Sequence, residues 1–297
     1  EKVLRLHDLL ARLVKHPLTE DVWVLKGGTA LNIFYLDVLR LSVDIDLNWV
    51  GSPDVEDMKR DRPAFERGLL ACCEREGLVP RREPSEHAGG KYRLRYASVM
   101  GGTQNLEVDV NYVSRVPIWP SVDRRAQFPP GSSLEVPTLQ LEELAAGKFA
   151  ALVQRTAARD MYDAGRLLAA APDLVSRPSF RIAFMCFVAG GRKDIRSFRA
   201  QDRAVDAKSY ARDVEPLLRI DAREGAEGQV DGAKSVQSAI IELLDWTPQE
   251  RAFLDSLLDA GEIRPDLLSD DDGVRERIGA QPMLQWKALH VRKHRRT

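Results

Sequence analysis

Two carboxylates, Asp44 and Asp46, stand two residues apart in the run Leu41-Ser42-Val43-Asp44-Ile45-Asp46-Leu47. Val43, Ile45 and Leu47 alternate with Asp44, Asp46 and Asn48, so the run reads as a strand with one apolar and one acidic face. Carboxylates placed this way point to the same side and repel unless a cation sits between them. Hard oxygen donors at that spacing suit Mg²⁺, with Mn²⁺ as a substitute. Upstream, Lys26-Gly27-Gly28-Thr29 follows a short apolar strand and precedes a helix-like run over residues 30–35. Glycines let backbone N–H groups turn toward a ligand, and a helix start favours an anion. A hydroxyl at Thr29 adds a further contact. A phosphate cradle beside metal-binding carboxylates points to a nucleoside triphosphate (NTP) and to phosphoryl transfer. The plainer alternative is a tight turn followed by an exposed acidic strand edge. Lys26 has two readings, a phosphate contact and a solvated lysine.

A second acidic face follows. Residues 92–100 and 105–113 read as an antiparallel hairpin joined through Gly101-Gly102. Leu106, Val108 and Val110 fall on one side, and Glu107, Asp109 and Asn111 on the other. If this strand lies beside the first, Asp109 joins Asp44 and Asp46 as a third carboxylate, the set that two-metal phosphoryl transfer requires. Taken alone, the pattern equally describes a solvent-facing edge strand. From Leu139 a long helical pattern begins, with Leu141, Leu144, Ala145, Phe149, Leu152 and Val153 as its apolar stripe. Lys148, Arg155 and Arg159 make a basic stripe on one flank, followed by Asp160 and Asp163. Such a stripe binds triphosphate or a nucleic-acid backbone if it faces an acidic site. Otherwise it is a solvated face with ordinary ion pairs.

Bulk properties bound these readings. The 297 residues suffice for two domains, and 44% hydrophobic content fills a sizeable core. Charged residues reach 30% but cancel to a formal net charge of −1, which does not describe a strongly basic nucleic-acid binder. Cys72, Cys73 and Cys186 read as buried thiols of a reducing cytoplasm, with no zinc site. No apolar run reaches the length of a membrane span, so the chain reads as soluble and cytoplasmic, with no membrane partner.

The remaining elements position these groups. Val3, Leu6, Leu10, Leu13 and Val14 predict an amphipathic first helix, and residues 21–25 a strand leading into the Gly-Gly turn. Ser52-Pro53-Asp54 predicts a helix start with Ser52 as N-cap, running to Gly77 with a kink or break at Pro63. Residues 82–90 read as a polar loop. Residues 117–137, with five prolines, read as a linker or a long loop between domains. Beyond it all is helical: a buried segment at 180–188, a mixed-charge helix at 206–218, a mobile loop at 221–232, and a helix at 236–246. A capping box at Thr247-Pro248-Gln249-Glu250 opens another helix. A last helix at 283–291 precedes the basic tail Arg292-Lys293-His294-Arg295-Arg296, which reads as an RNA contact or a disordered end.

The ordered series Lys26-Gly27-Gly28-Thr29-Ala30-Leu31, Leu41 to Leu47, Leu106-Glu107-Val108-Asp109, and Leu144, Lys148, Arg155, Arg159, Asp160 and Asp163 resembles the AbiEii/AbiGii toxin family. Its members are nucleotidyltransferase-like toxins of bacterial toxin–antitoxin and abortive-infection (phage-defence) systems, with the MenT toxins similar. The closing Pro282-Met283-Leu284-Gln285-Trp286-Lys287 shares the likeness. The resemblance implies an α+β fold: a DNA polymerase β-like nucleotidyltransferase core, a small mixed sheet with helices, at 1–137. An all-helical C-terminal domain at 138–297 follows, contributing Lys148 and its neighbours to the active-site cleft. It implies Gly28 and Thr29 at the triphosphate, Asp44 and Asp46 as metal ligands, Asp109 as third acid, and Lys148 and Asp160 as later catalytic positions. Lys26, Gly27, Arg155 and Arg159 join the nucleotide-binding set. Glu107 stands where some relatives carry a basic residue, which would leave more of the triphosphate to Lys148 and Arg159. The implied reaction moves a nucleotide from an NTP to an acceptor hydroxyl, with tRNA 3′ ends as acceptor and a cognate antitoxin as partner. The alternatives are a small-molecule nucleotidyltransferase of the aminoglycoside type and a non-catalytic NTP-binding interaction protein.

Overall fold

The computed structural model describes residues 1–37, 39–82, 88–155, 157–198, 207–223 and 226–295. They form two compact units, Glu1–Gln140 and Leu141–Thr297. Parts of the expected loops at 82–90 and 221–232, the start of the helix expected at 206–218, and Arg296 lie outside the described residues. Among the described residues no helix is long and apolar enough to cross a membrane.

The first unit is a mixed sheet with helices. Helix α1 (Lys2–Leu13) buries Val3, Leu6, Leu9, Leu10 and Leu13. Strand β1 (Trp23–Lys26) leads into a single helical turn, α2 (Gly27–Thr29), which loosens into a π turn over Ala30–Tyr35. Strand β2 (Asp44–Trp49) and helix α3 (Val55–Arg75) follow. Then come β3 (Val79–Arg82), β4 (Gly89–Ala97), β5 (Thr103–Asn111), β6 (Val122–Arg125) and β7 (Glu135–Thr138). The seven strands lie in the order β3-β4-β5-β2-β1-β7-β6. The β2–β5 and β1–β7 pairs are parallel and the other pairs antiparallel.

Alternation does what the sequence implies in the two central strands. Ile45, Leu47, Val108 and Val110 are fully buried beneath the sheet, which leaves the acids on the other face. Strand β5 lies between β4 and β2, so it is not an edge.

Two expectations in this unit need correction. The proline-rich stretch at 117–137 is no linker: it contributes β6 and most of β7, and β7 joins β1 through Leu25↔Thr138. Four-residue strands interrupted by proline carry too little alternation to be seen, and Pro137 is tolerated because β7 is short and near the sheet's end. Helix α3 starts at Val55, with Asp54 as N-cap accepting from the N–H groups of Glu56 and Asp57. Ser52 instead accepts from the Asp54 N–H and donates to Asp57. The helix runs past Pro63 to Arg75 without a break.

The second unit is helical. It comprises α4 (Leu141–Gln154), α5 (Ala158–Ala170), α6 (Pro178–Ala189), α7 (Ala207–Asp213), α8 (Ala226–Leu244), α9 (Pro248–Asp255), α10 (Asp272–Gly279) and α11 (Pro282–Arg295). The long helix expected from Leu139 is thus two helices, broken after Gln154. The loop expected at 221–232 is helical from Ala226, as the opening of α8. The helix expected up to Leu218 ends at Asp213, with a 3₁₀ turn over Glu215–Leu217. Cys72, Cys73 and Cys186 are free and buried, and burial pushes the Cys73 thiol up to about 12.

The capping box forms as read: the Thr247 hydroxyl accepts from the Glu250 N–H, and the Glu250 carboxylate accepts from the Thr247 N–H. Arg181 donates twice to the same carboxylate, at 2.8 and 2.7 Å. Burial pushes the Glu250 carboxyl upward, but the Arg181 and Thr247 donors prevail and hold it below its ordinary 4.5. A depressed carboxyl stabilises the fold above its unfolded pKa and loses that contribution as pH falls through the folded one. Glu250→Gln should therefore destabilise the protein most at neutral pH, and the gap to wild type in urea unfolding should shrink below pH 4.5. A gap that does not change with pH would contradict this origin.

Candidate active site

Sheet register assembles the site. Asp46 faces Lys26 across the antiparallel β1–β2 pair and Asp109 across the parallel β2–β5 pair, and Asp109 faces Lys91 across β5–β4. Directly opposed residues point to the same face. One row therefore reads Lys26, Asp46, Asp109, Lys91: two acids flanked by two cations. The next row reads Asp44, Glu107, Arg93.

The charges in these rows answer one another. Burial lowers the Lys26 ammonium below its ordinary value, while the negative charges of Asp46 and Asp109 pull the other way. Lys91 Nζ lies 2.9 Å from a Glu107 oxygen, and Arg93 Nε lies 3.1 Å from the other. The Lys91 hydrogen bond comes first in depressing Glu107, and the same contact raises Lys91. Where a basic residue was expected in place of Glu107, the neighbouring strand β4 supplies two. Lys91 and Arg93 went unassigned because the expected hairpin left its register open, and it is the register that sets Arg93 against Glu107 and Lys91 against Asp109.

The Gly-Gly turn packs directly on this row. Gly27 has φ +74°, and a methyl group there would lie 2.1 Å from Asp46 Oδ2. On Gly28 a methyl would meet Ser42 Oγ at 2.9 Å and an Arg40 Nη at 3.1 Å. Arg40 and Ser42 are thus part of the turn's surroundings, although no sequence pattern marks them for it. Asn32 donates to the Gly28 carbonyl at 2.8 Å and fixes the start of the π turn.

Thr29 is engaged within the protein. Its side chain is fully buried, and its hydroxyl lies within hydrogen-bonding distance of the Asp44 carbonyl at 2.5 Å and Ser42 Oγ at 3.0 Å. The hydroxyl ties the turn to β2.

The expected basic stripe does not exist as a stripe, because the helix breaks between Lys148 on α4 and Arg159 on α5. Lys148 Nζ lies 3.0 Å from Asp160 and 2.9 Å from Asp163, two carboxylates that are almost wholly buried. Arg155 adds a contact to Asp160 at 3.1 Å. Asp163, to which the sequence assigned no role, is thereby a full member of this cluster. Arg159 is exposed, and its charge is felt by Asp213.

Asp44, Asp46 and Asp109 are hard oxygen donors on one sheet face. Among the described residues, no three His, Cys, Asp or Glu side chains are gathered to hold an ion. The donor set therefore fits an ion that takes one or two carboxylates and completes its shell with phosphate oxygens and water, as Mg²⁺ does. It does not fit an ion that needs an all-protein cage.

The close approach of Gly27 to Asp46 is testable. Gly27→Ala should cost more than about 1 kcal/mol, because it combines a positive φ with a clash. Gly77→Ala shares the positive φ (+67°) but meets nothing within 4 Å, and should cost less. Equal losses in denaturant unfolding would show that Asp46 does not press on the turn.

A search of curated protein sequences finds no match. Among solved structures, the chain is similar to MenT4, a nucleotidyltransferase toxin from Mycobacterium tuberculosis H37Rv. The TM-score is 0.53 at 19% identity, covering 95% of this chain and 92% of that one, which shows a shared fold. The family model described as nucleotidyl transferase AbiEii toxin, type IV toxin–antitoxin system, matches residues 8–260. The paired-acid sheet and its glycine turn thus lie within a matched span that covers most of the chain, which belongs to the AbiEii family of nucleotidyltransferase toxins.

Proposed function

We propose that the chain transfers a nucleotide from an NTP to the hydroxyl at the 3′ end of tRNA, releasing pyrophosphate. The observation that carries this reading is the row Lys26, Asp46, Asp109, Lys91 with the Gly27–Gly28 turn packed on Asp46. Triphosphate bound at the turn would meet backbone N–H groups at a helix start. Asp44, Asp46 and Asp109 would supply the one or two carboxylates that hold Mg²⁺ or Mn²⁺, and the ion when bound would supply charge to phosphate oxygens. Asp109 accepts the proton of the attacking hydroxyl or orients it. Lys26 and Lys91 offset the negative charge that the triphosphate brings to the sheet face.

In the helical unit, Lys148 is the cation assigned to the phosphates, with Asp160 and Asp163 as its positioning groups. Arg155 holds Asp160 in place. Arg159, exposed and apart from this cluster, is the weakest member of the nucleotide-binding set. The tRNA acceptor follows from the resemblance to MenT toxins, and a cognate antitoxin follows from the toxin–antitoxin family. An aminoglycoside-type acceptor would need an open acidic cleft. Here Glu107 is neutralised by Lys91 and Arg93, which weighs against it.

Purified chain, total bacterial tRNA, Mg²⁺ and each labelled NTP in turn test the reading, with Asp46→Ala alongside. Wild type should label tRNA with at least one nucleotide, and Asp46→Ala should lower the rate by about two orders of magnitude or more, as removal of a charge-stabilising group does. Equal labelling by both proteins would remove Asp46 from the chemistry. Pyrophosphate release with another acceptor only would discard tRNA, and NTP binding without release would discard transfer.

A further inference from the structure

An RNA acceptor needs a surface that holds an unpaired strand. Helix α11 carries Lys287, His290, Arg292, Lys293, His294 and Arg295 and no acidic residue. It lies beyond the family match, which ends at residue 260. Its inner face is satisfied within the helical unit: Leu284 and Ala288 are buried, and Lys287 donates to the Gly191 carbonyl at 2.9 Å. The outer face has a different character. Trp286 is 58% exposed and Leu289 61% exposed. Trp286 stacks on His290 with centroids 5.3 Å apart and planes at 26°, and His290 meets His294 at 4.3 Å. Residues four apart share a helix face, so the three rings form a ladder along it. Lys293 is exposed beside this ladder, whereas Arg292 continues the stripe of Leu284 and Ala288 and packs near Gly261.

Aromatic surface interleaved with cations is how sequence-tolerant binders hold single strands: bases stack on rings and phosphates meet the charges. A lipid surface would want this helix's apolar stripe, but that stripe is spent on the protein core. We propose that the outer face of α11 binds single-stranded RNA, with an unpaired base stacked on Trp286 and a phosphate on Lys293. This deepens the acceptor reading above and rests on it.

The test uses the full chain carrying Asp46→Ala, without NTP or divalent metal, so that no turnover intervenes. Fluorescence anisotropy compares a single-stranded oligoribonucleotide with a duplex of equal length. The single strand should bind more tightly. Adding Trp286→Ala should weaken it by about tenfold, within the range for loss of one stacked base, while Trp286→Phe should retain most of the binding. Lys293→Ala should weaken single strand and duplex alike and flatten the salt dependence. Unchanged affinity in the Trp286→Ala protein would overturn the proposal while leaving RNA as acceptor. No RNA binding by the parent would take both readings down. A change in sedimentation from dimer to monomer on Trp286→Ala, with RNA affinity unaltered, would make the face a self-contact and overturn the proposal.

Discussion

Two carboxylates opposed across a parallel strand pair repel, and much of the first unit follows from tolerating that repulsion. At a protein surface, like unit charges about 4 Å apart cost roughly 4 kcal/mol. The opposite face of the same strands provides the offset. Ile45, Leu47, Val108 and Val110 are fully buried, and each such side chain contributes about 1.5–3 kcal/mol in gross burial. The sheet thus holds Asp46 against Asp109 with apolar packing, while Lys26 and Lys91 bracket the pair from the flanking strands. Strand order is what makes this bracket: β5 and β2 must be neighbours, with β4 and β1 outside them.

The helical unit solves a related problem differently. Lys148 is enclosed by Asp160 and Asp163, and Arg155 completes the balance on Asp160. Removing one member of a buried ion cluster leaves an uncompensated charge, which makes such clusters rigid and geometrically specific rather than strongly stabilising. A lysine held this way presents its ammonium in one orientation, which a solvated lysine on a helix face does not.

The sequence revealed local alternation well and non-local register poorly. The acidic faces of β2 and β5 were readable because each residue pair reports its own side of the strand. That the two strands are parallel neighbours was conditional until the sheet order was known, and so was the countercharge from Lys91 and Arg93. The Gly27–Gly28 turn was visible as a turn, but the contact with Asp46 depends on a close approach that no pattern encodes. Thr29 reads as a phosphate contact because hydroxyls at helix starts serve that purpose; its bond to the Asp44 carbonyl, made across the turn, has no signature in the sequence. The strands β6 and β7 were hidden by prolines and by their length of four residues each. The long helix from Leu139 kept its apolar periodicity on both sides of the break, so the break, and with it the folding of Lys148 onto Asp160 and Asp163, could not be seen.

The most direct measurement is calorimetric titration of NTP, with and without Mg²⁺, into wild type, Asp46→Asn and Asp109→Asn. If the opposed carboxylates hold the cation that the triphosphate brings, Mg²⁺ strengthens binding to wild type, and either substitution removes that gain while metal-free binding persists. Full Mg²⁺ enhancement in Asp109→Asn, or none in wild type, would contradict the paired-carboxylate site.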